Sequence, residues 1–330
     1  METLYNDTPI DPRRQAQALL FLSAFDYLCA KATGKFRLVP LKGIDLICFL
    51  YSDTLDRELK DIDMLVAPAE KAMDFIEMLQ DDGYQPEFSF ALDKAALRKK
   101  RKVSMLSQSE RKPNVDIHLA LITKKFFSYT INGFNQDALS RTKAVDEVVS
   151  VLDDVDRWMY LAAHLTFHFL EGDKWYRDLV LLMDRFSEDD ISTLIKRAKH
   201  YNFERVVGAI CCRIHSPKIV GRIDISQLLT NNRGKRFLRY INYIEAHPEK
   251  LRHGLRLSRY YWEFVFISKT IQRCHSLLCM VFPSIGNMQN IYRCNVFYAI
   301  LLYVPHIFIN IGGLLLFSIQ YYYISNFHNK

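Results

Sequence analysis

The sequence predicts an α/β domain with a small mixed sheet, followed by a mostly α-helical domain. Up to about residue 121, short apolar runs typical of strands alternate with segments whose apolar residues recur at helical spacing. From Asp153 to about His215 the apolar residues recur every three or four positions, and strand signals nearly vanish. The last segment is apolar and almost free of charge. We therefore expect three regions, at 1–150, 151–290 and 291–330.

The elements of the first domain follow from local start signals, stop signals and periodicity. Strand candidates are short and apolar, whereas helix candidates end at signals such as Gly83. In chain order we predict a helix over 14–32, a strand in "FRLVPLKG" that enters a turn at Lys42 and Gly43, a helix in "IDLICFLY", a strand over 61–66, an amphipathic helix that opens at Pro68, and, after a basic segment, a third strand in "NVDIHLAL" at 114–121.

The stretch "RELKDIDMLV", residues 57–66, places two carboxylates at the start of a strand. Alternate side chains of a strand share a face, so Asp61 and Asp63 should point the same way and lie about 7 Å apart. Two like charges on one face repel each other, and a divalent cation removes that repulsion. Asp116 in "NVDIH" is the candidate for a third carboxylate on a neighbouring strand. All three are candidate metal ligands and catalytic residues.

Other residues of these motifs are candidates for binding the substrate. Lys42 and Gly43 lie where a strand gives way to a helix, whose free N–H groups bind anions, and glycine permits close approach. Arg57 is expected to bind a triphosphate, to position the Asp61 loop, or to form a structural ion pair with Asp61 or Glu58. His118 follows Asp116 by two residues and shares its face of the strand, so it could orient a carboxylate or the acceptor, or simply form a structural hydrogen bond.

These motifs, in this order, resemble those of the uncharacterised nucleotidyltransferase family, which is part of the DNA polymerase β-like nucleotidyltransferase superfamily. The resemblance covers most of residues 36–215, and it is weak after residue 215. The segments that carry it are "LKGIDLICFLY", "RELKDIDMLV", "NVDIHLAL", "WMYLAAHLTFH", "WYRDLVLLMD" and "VFPSIGNMQNIY".

The resemblance implies a minimal nucleotidyltransferase fold, with Asp61, Asp63 and Asp116 as metal ligands and Gly43 in the phosphate-binding turn. Several members of the superfamily have Gly-Ser at that turn, whereas here Ile44 follows the glycine. The side-chain phosphate contact of that serine is therefore missing. Lys42, directly before the glycine, is the residue that could replace it electrostatically.

The activity predicted on this basis is transfer of a nucleoside monophosphate from an NTP to an unidentified acceptor hydroxyl or similar group, with release of pyrophosphate. Mg²⁺ or Mn²⁺ is the expected cofactor, because carboxylates must hold a cation against the phosphates while basic groups hold the leaving pyrophosphate. Two alternatives remain: a non-catalytic nucleotide-binding module, and a membrane-associated scaffold linked to envelope polysaccharide assembly.

Composition and charge limit the class of protein. The chain has 330 residues, of which 49% are hydrophobic and 25% charged, which is typical of a folded protein of about two domains. The formal charge of +7 is compatible with a phosphate-rich or membrane-surface partner. "RKKRK" at 98–102 could attract nucleic acid, but no recognition motif accompanies it. The seven scattered cysteines suggest neither a disulfide framework nor a zinc ribbon.

The apolar stretch "VFYAILLYVPHIFINIGGLLLFSI", residues 296–319, is long enough to cross a bilayer. Pro305, His306 and Asn310 argue against a clean span, so an interfacial segment and buried helices of a soluble domain are the alternatives. The N-terminus lacks a basic region that leads into an apolar run, which argues against a secretory signal. We expect a cytoplasmic protein, either free or anchored to the inner face of the membrane by this segment.

Overall fold

A computed structural model describes residues 12–53, 57–67, 71–87, 102–109, 112–122, 132–167, 172–214 and 296–327, together with scattered positions between 223 and 288. The chain divides into two compact units. The first comprises Met1–Thr123 and Asn135–Arg157, and the second comprises Lys124–Phe134 and Trp158–Lys330. The boundaries expected at residues 150 and 290 stay predictions.

The first unit contains the predicted alternation of helices and strands. Four of its strands, β3, β4, β6 and β7, were not predicted, and β4 begins at the end of the basic segment. In chain order the elements are α1 (Pro12–Ala32), β1 (Arg37–Leu41), α2 (Lys42–Phe49), β2 (Ile62–Ala67), α3 (Ala72–Asp81), β3 (Tyr84–Pro86), β4 (Lys102–Ser107), β5 (Val115–His118), a helix, Asn132–Ser140, whose first residues belong to the second unit, and a short pair, β6 (Lys143–Ala144) and β7 (Ser150–Val151).

Five strands form one mixed sheet in the order β1-β2-β5-β4-β3. The pairs β1–β2, β5–β4 and β4–β3 are antiparallel, whereas β2 and β5, at the centre, are parallel. The predicted small mixed sheet is therefore confirmed. Because β5 is inserted between β2 and β4, residues that are more than fifty positions apart in the chain become neighbours at the centre of the sheet.

One face of the sheet packs on the hydrophobic core. Alternate residues of β2, Ile62, Met64 and Val66, are buried in it, as are Val115 and Ile117 of β5. Helices α1 and α3 cover this face with stripes at helical spacing, which are Phe21, Phe25, Leu28 and Ala32 in α1 and Phe75, Ile76 and Leu79 in α3. Each such side chain contributes about 1.5–3 kcal/mol when fully buried. The strand residues between them face the opposite side of the sheet.

The second unit is helical where it is described, which confirms the predicted helical part. Trp158, the largest fully buried side chain among the described residues, donates a hydrogen bond from Nε1 to the Leu179 carbonyl in helix Asp173–Asp184, at 3.1 Å. The one polar group of this side chain is therefore satisfied. The helix Glu188–His200 starts at a capping box formed by Ser187 and Asp190. The described helices are Asp154–Phe167, which begins in the first unit, Asp173–Asp184, Glu188–His200 and Glu204–Arg213.

The apolar C-terminal segment forms two helices, Val296–Leu301 and Tyr303–Phe327. In the described part of the chain, no helix is long and apolar enough to cross a membrane, so a span at 296–319 is not supported. The polar groups that argued against a clean span lie within the longer helix: His306 and Asn310 are buried, and Asn310 Nδ2 donates a hydrogen bond to the His306 carbonyl at 2.7 Å. Most of residues 215–290, the later part of the region expected at 151–290, lie outside the described residues.

Candidate metal and phosphate site

The central parallel strand pair brings two carboxylates together. Asp63 of β2 is in register with Asp116 of β5, and His118 lies two residues further along β5, on the same face. All three side chains are buried. One potential ligand atom from each lies within 4.8 Å of the others. The site thus occupies the face of the sheet opposite the core.

Asp63 is held by two partners. Lys42 Nζ donates a hydrogen bond to Asp63 Oδ1 at 2.5 Å, and His118 Nε2 lies 2.8 Å from the same oxygen. Burial alone raises the pKa of Asp63, but the bond from His118 and the charge of Lys42 outweigh it, so that pKa lies below its ordinary value. Burial and the charges of Lys42 and Lys102 lower the pKa of His118, and the hydrogen bond and charge of Asp63, which raise it, do not offset them. We infer a neutral ring that donates Nε2–H to an ionised Asp63.

Asp116 has a partner that was not predicted, Lys102. The ammonium group of Lys102 forms an ion pair with Asp116 Oδ2. Burial lowers the pKa of Lys102, but its hydrogen bond to Asp116 and the charges of Asp116, Asp63 and Asp61 raise it above its ordinary value. The signal that could have identified the strand is the alternation in "KVSMLS", where Val103 and Met105 enter the core. Lys102 and Ser104 then share the face of Asp116.

Asp61 lies beside this cluster and outside the group of ligand atoms that converge. It precedes β2, which begins at Ile62, and it is only partly buried. Burial raises the pKa of Asp61 to about 6, and the negative charges of Asp63 and Asp116 act in the same direction. Because the charges of Asp63 and Asp116 both raise its pKa, Asp61 belongs to the same electrostatic site. Of the three predicted carboxylates, the structure thus brings two into close contact and keeps the third nearby.

Lys42 and Gly43 lie at the predicted junction, where β1 ends at Leu41 and α2 begins. Lys42 has φ 52°, a left-handed conformation that costs a residue with a Cβ atom about 1–3 kcal/mol. The residue that has this conformation is also the one whose ammonium group binds Asp63. Gly43 is also required for packing: a Cβ atom there would lie 2.5 Å from Leu59 Cδ2, so the space beside Gly43 is filled by a buried leucine. Its predicted role in a phosphate-binding turn stays a prediction.

Two buried arginines support the loops around the site. Arg57 Nη1 donates a hydrogen bond to the Glu58 carbonyl at 2.9 Å, and the three roles expected of Arg57 stay predictions. Arg157, which was not predicted, binds the carboxylate of Asp45 in α2 through Nε at 2.8 Å and Nη2 at 3.1 Å. Burial raises the pKa of Asp45 to about 6, and the charge and hydrogen bonds of Arg157 oppose that rise.

The donor set of the cluster fits a hard divalent cation. Carboxylate oxygens are the protein ligands that Mg²⁺ and Mn²⁺ prefer, and Asp63 and Asp116 supply them from adjacent strands. Among the described residues, His118 Nδ1 has no hydrogen-bond partner, while Nε2 is engaged by Asp63. His118 therefore suits the role of a residue that orients a ligand carboxylate through a hydrogen bond. Lys42 and Lys102 occupy the neighbouring positions, where they compensate the carboxylate charge.

A small mixed sheet that carries carboxylates on its two central strands, with a basic strand-to-helix turn beside them, is the arrangement of a nucleotidyltransferase domain. The sequence model described as "Uncharacterised nucleotidyltransferase" matches residues 15–217, which is more than half of the chain. The chain therefore belongs to this uncharacterised nucleotidyltransferase family, as the motifs predicted. A comparison with curated proteins finds no match.

Proposed function

We propose that this protein transfers a nucleoside monophosphate from an NTP to an acceptor hydroxyl or similar group. The acceptor oxygen loses its proton and forms a bond to the α-phosphorus, while the bond from that phosphorus to the bridging oxygen of the β-phosphate breaks. Pyrophosphate leaves with the electron pair of that bond. The observation that carries the proposal is the buried, converging set of Asp63, Asp116 and His118 on a nucleotidyltransferase domain.

The carboxylates Asp61, Asp63 and Asp116 would hold a divalent cation, Mg²⁺ or Mn²⁺. When bound, such a cation neutralises phosphate charge and lowers the pKa of the attacking hydroxyl. Asp63 and Asp116 are in register and buried, so they offer oxygen ligands from a rigid part of the sheet. Asp61 directly precedes β2 and is partly buried, a position that suits contact with both the cation and the incoming nucleotide.

Lys42, Gly43 and Arg57 would bind or position the triphosphate. Lys42 brings an ammonium group to the edge of the carboxylate site, 2.5 Å from Asp63 Oδ1. Gly43 is in the first turn of α2, where backbone N–H groups are free to bind anions. Arg57 holds the backbone at Glu58 and thereby the approach to Asp61. His118 keeps the Asp63 carboxylate in one orientation through its 2.8 Å contact.

The first experiment measures binding. Thermal unfolding of the full chain is followed with each NTP, with and without Mg²⁺, for the parent protein and for Asp63→Asn. A ligand at a hundred times its Kd stabilises by about 2.7 kcal/mol, which raises the unfolding midpoint by a few degrees. We expect a Mg²⁺-dependent rise with at least one NTP and none in the variant. Asp26→Asn, which changes an exposed aspartate of α1, is the matched control and should respond like the parent.

The second experiment measures transfer. The protein is incubated with Mg²⁺, a cell extract as the pool of acceptors, and the stabilising NTP labelled at either the α- or the γ-phosphorus. Nucleotidyl transfer should leave the α label on an acceptor and release the γ label in pyrophosphate. Binding without retention of the α label would favour the non-catalytic nucleotide-binding alternative. Retention of the γ label would indicate phosphoryl transfer and contradict the proposal.

A further inference from the structure

Two lysines flank the carboxylate pair, one from the β1 side of strands β2 and β5 and the other from the β4 side. In the order β1-β2-β5-β4, Lys42 follows β1 and binds Asp63 of β2, while Lys102 of β4 binds Asp116 of β5. Each carboxylate thus has an ammonium group of its own, one from the residue that follows β1 and one from β4. Together the two ammonium groups bring two positive charges to these oxygens, which is the charge that one Mg²⁺ or Mn²⁺ ion would bring.

The position of Lys102 follows from the register of β4 on β5. Lys102 is opposite His118 and Ser104 is opposite Asp116, so Lys102 reaches Asp116 along the diagonal of the strand pair. A diagonal neighbour across antiparallel strands is within reach of a long side chain. The same diagonal leaves the ammonium group on the face of the sheet where the cation and the triphosphate would bind.

The two lysines differ in how freely they can move. The Lys42 side chain is 15% exposed, and its backbone is held in the left-handed conformation at the start of α2. The Lys102 side chain is 36% exposed. A lysine with a flexible four-carbon stem that already reaches solvent can move its ammonium group between partners at little cost.

We propose that Lys102 is an exchangeable counter-ion, which pairs with Asp116 before a divalent cation binds and contacts the substrate triphosphate once the cation has taken the Asp116 oxygens. This inference rests on the proposed function and deepens it, because it adds a triphosphate-binding residue from β4. The ammonium group and the cation compete for the same carboxylate lone pairs. The released ammonium group finds a new anionic partner in the triphosphate, so binding of cation and triphosphate should be coupled through Lys102.

The test uses the full-length protein and two simple probes, Mn²⁺ alone and inorganic tripolyphosphate with Mn²⁺ present. The variant is Lys102→Met, which keeps most of the stem and removes the charge. The matched control is Lys143→Met, which changes an exposed lysine on β6 of the same unit. We expect Lys102→Met to bind Mn²⁺ about tenfold more tightly than the parent and tripolyphosphate about tenfold more weakly, each a change of about 1.4 kcal/mol. Lys143→Met should match the parent in both measurements.

The outcomes separate this inference from the proposed function. If the parent binds Mn²⁺ but Lys102→Met binds it no more tightly, or binds tripolyphosphate as well as the parent does, the exchange is disproved while the metal site stands. If the parent binds no Mn²⁺ and Asp63→Asn changes nothing, both the site and the exchange are disproved. Lys102→Gln replaces the methionine variant if the latter does not fold, and the same two changes are expected of it.

Discussion

Arg157 and Asp45 are 112 residues apart in the chain and form a buried ion pair with two hydrogen bonds, from Nε at 2.8 Å and from Nη2 at 3.1 Å. Asp45 lies in the first turn of α2, three residues after Lys42. Arg157 also pairs with Asp154, a turn earlier in its own helix. The helix that begins at Lys42 is therefore held at its first turn by the guanidinium group of Arg157.

Removing Arg157 should destabilise the protein in a pH-dependent way. Arg157→Gln leaves a carboxylate buried without its counter-charge, which costs about 3–5 kcal/mol at pH 7. Burial raises the pKa of Asp45 to about 6 even with Arg157 present, and without Arg157 that pKa rises further. A raised folded-state pKa favours folding most below the unfolded pKa of about 4, and this contribution is lost as the pH rises through 6. Urea unfolding at pH 5 and at pH 7 should therefore show the smaller loss at pH 5.

The control for this prediction is the double variant Asp45→Asn/Arg157→Gln, which removes both charges. Its free energy of unfolding should exceed that of Arg157→Gln at pH 7, and it should lack the pH dependence that the titration of Asp45 gives to both the parent and Arg157→Gln. An equal loss for Arg157→Gln at pH 5 and pH 7 would contradict the assignment of the pH dependence to Asp45.

His118 should control metal affinity through Asp63. His118→Phe removes the Nε2 contact of 2.8 Å while filling a similar volume, and loss of a residue that orients a metal ligand typically costs 10–100-fold in affinity. We expect Mn²⁺ to bind about 10–100-fold more weakly, as measured by titration of the full chain. His118→Gln retains a donor and should recover part of the affinity. Unchanged Mn²⁺ binding in His118→Phe would assign this histidine a structural role only.

The backbone of Lys42 should limit which replacements are tolerated. At φ 52° glycine avoids the steric cost that a Cβ atom incurs. Lys42→Gly should therefore be about 1 kcal/mol more stable than Lys42→Ala in thermal or urea unfolding, although both lose the ammonium group that binds Asp63. Both should also bind Mn²⁺-tripolyphosphate more weakly than the parent. Equal stabilities of the two variants would indicate that the left-handed conformation is not maintained in solution.

Gly43 and Leu59 should be energetically coupled. A Cβ atom on Gly43 would lie 2.5 Å from Leu59 Cδ2, and forcing a buried side chain to move in this way costs about 1–3 kcal/mol. Gly43→Ala should therefore be less harmful in a Leu59→Val background, where the helix gains alanine without the clash. A double-mutant cycle by urea unfolding should give a coupling free energy of about 1 kcal/mol or more. Additive effects would show that Leu59 adjusts freely.

The sequence contained most of the information about the central strands, because they are short, apolar and bounded by clear stop signals. "DIDMLV" and "NVDIH" were predicted as strands, and the junction at Lys42 was predicted where the structure has it. The spacing of Asp61 and Asp63 was less informative than it appeared. Since β2 begins at Ile62, strand periodicity does not bring Asp61 into the group of converging ligand atoms, whereas strand pairing brings Asp116 and His118 there.

Two other features depended on long-range contacts that local patterns do not contain. The basic stretch at 98–102 was considered as a segment that could attract nucleic acid, so Lys102 was not predicted as a partner of Asp116. The pairing of β4 with β5 makes it one. Arg157 and Asp45 are neighbours through the tertiary fold alone.

For the apolar C-terminus, overall hydropathy allowed a membrane span. In the part of the chain that the structure describes, no helix is long and apolar enough to cross a membrane, and the longer C-terminal helix contains two buried polar side chains, His306 and Asn310.

The insertion of β5 between β2 and β4 also sets the order in which the protein can assemble the cluster of Asp63, Asp116 and His118. During synthesis β1 and β2 emerge first and can form one antiparallel pair. Strands β3 and β4 follow and can form another. Only β5 joins the two, and it carries Asp116 and His118. A nascent chain that has not yet released β5 from the ribosome thus lacks Asp116 and His118, and a truncated translation product ending before residue 115 should be unable to form the cluster.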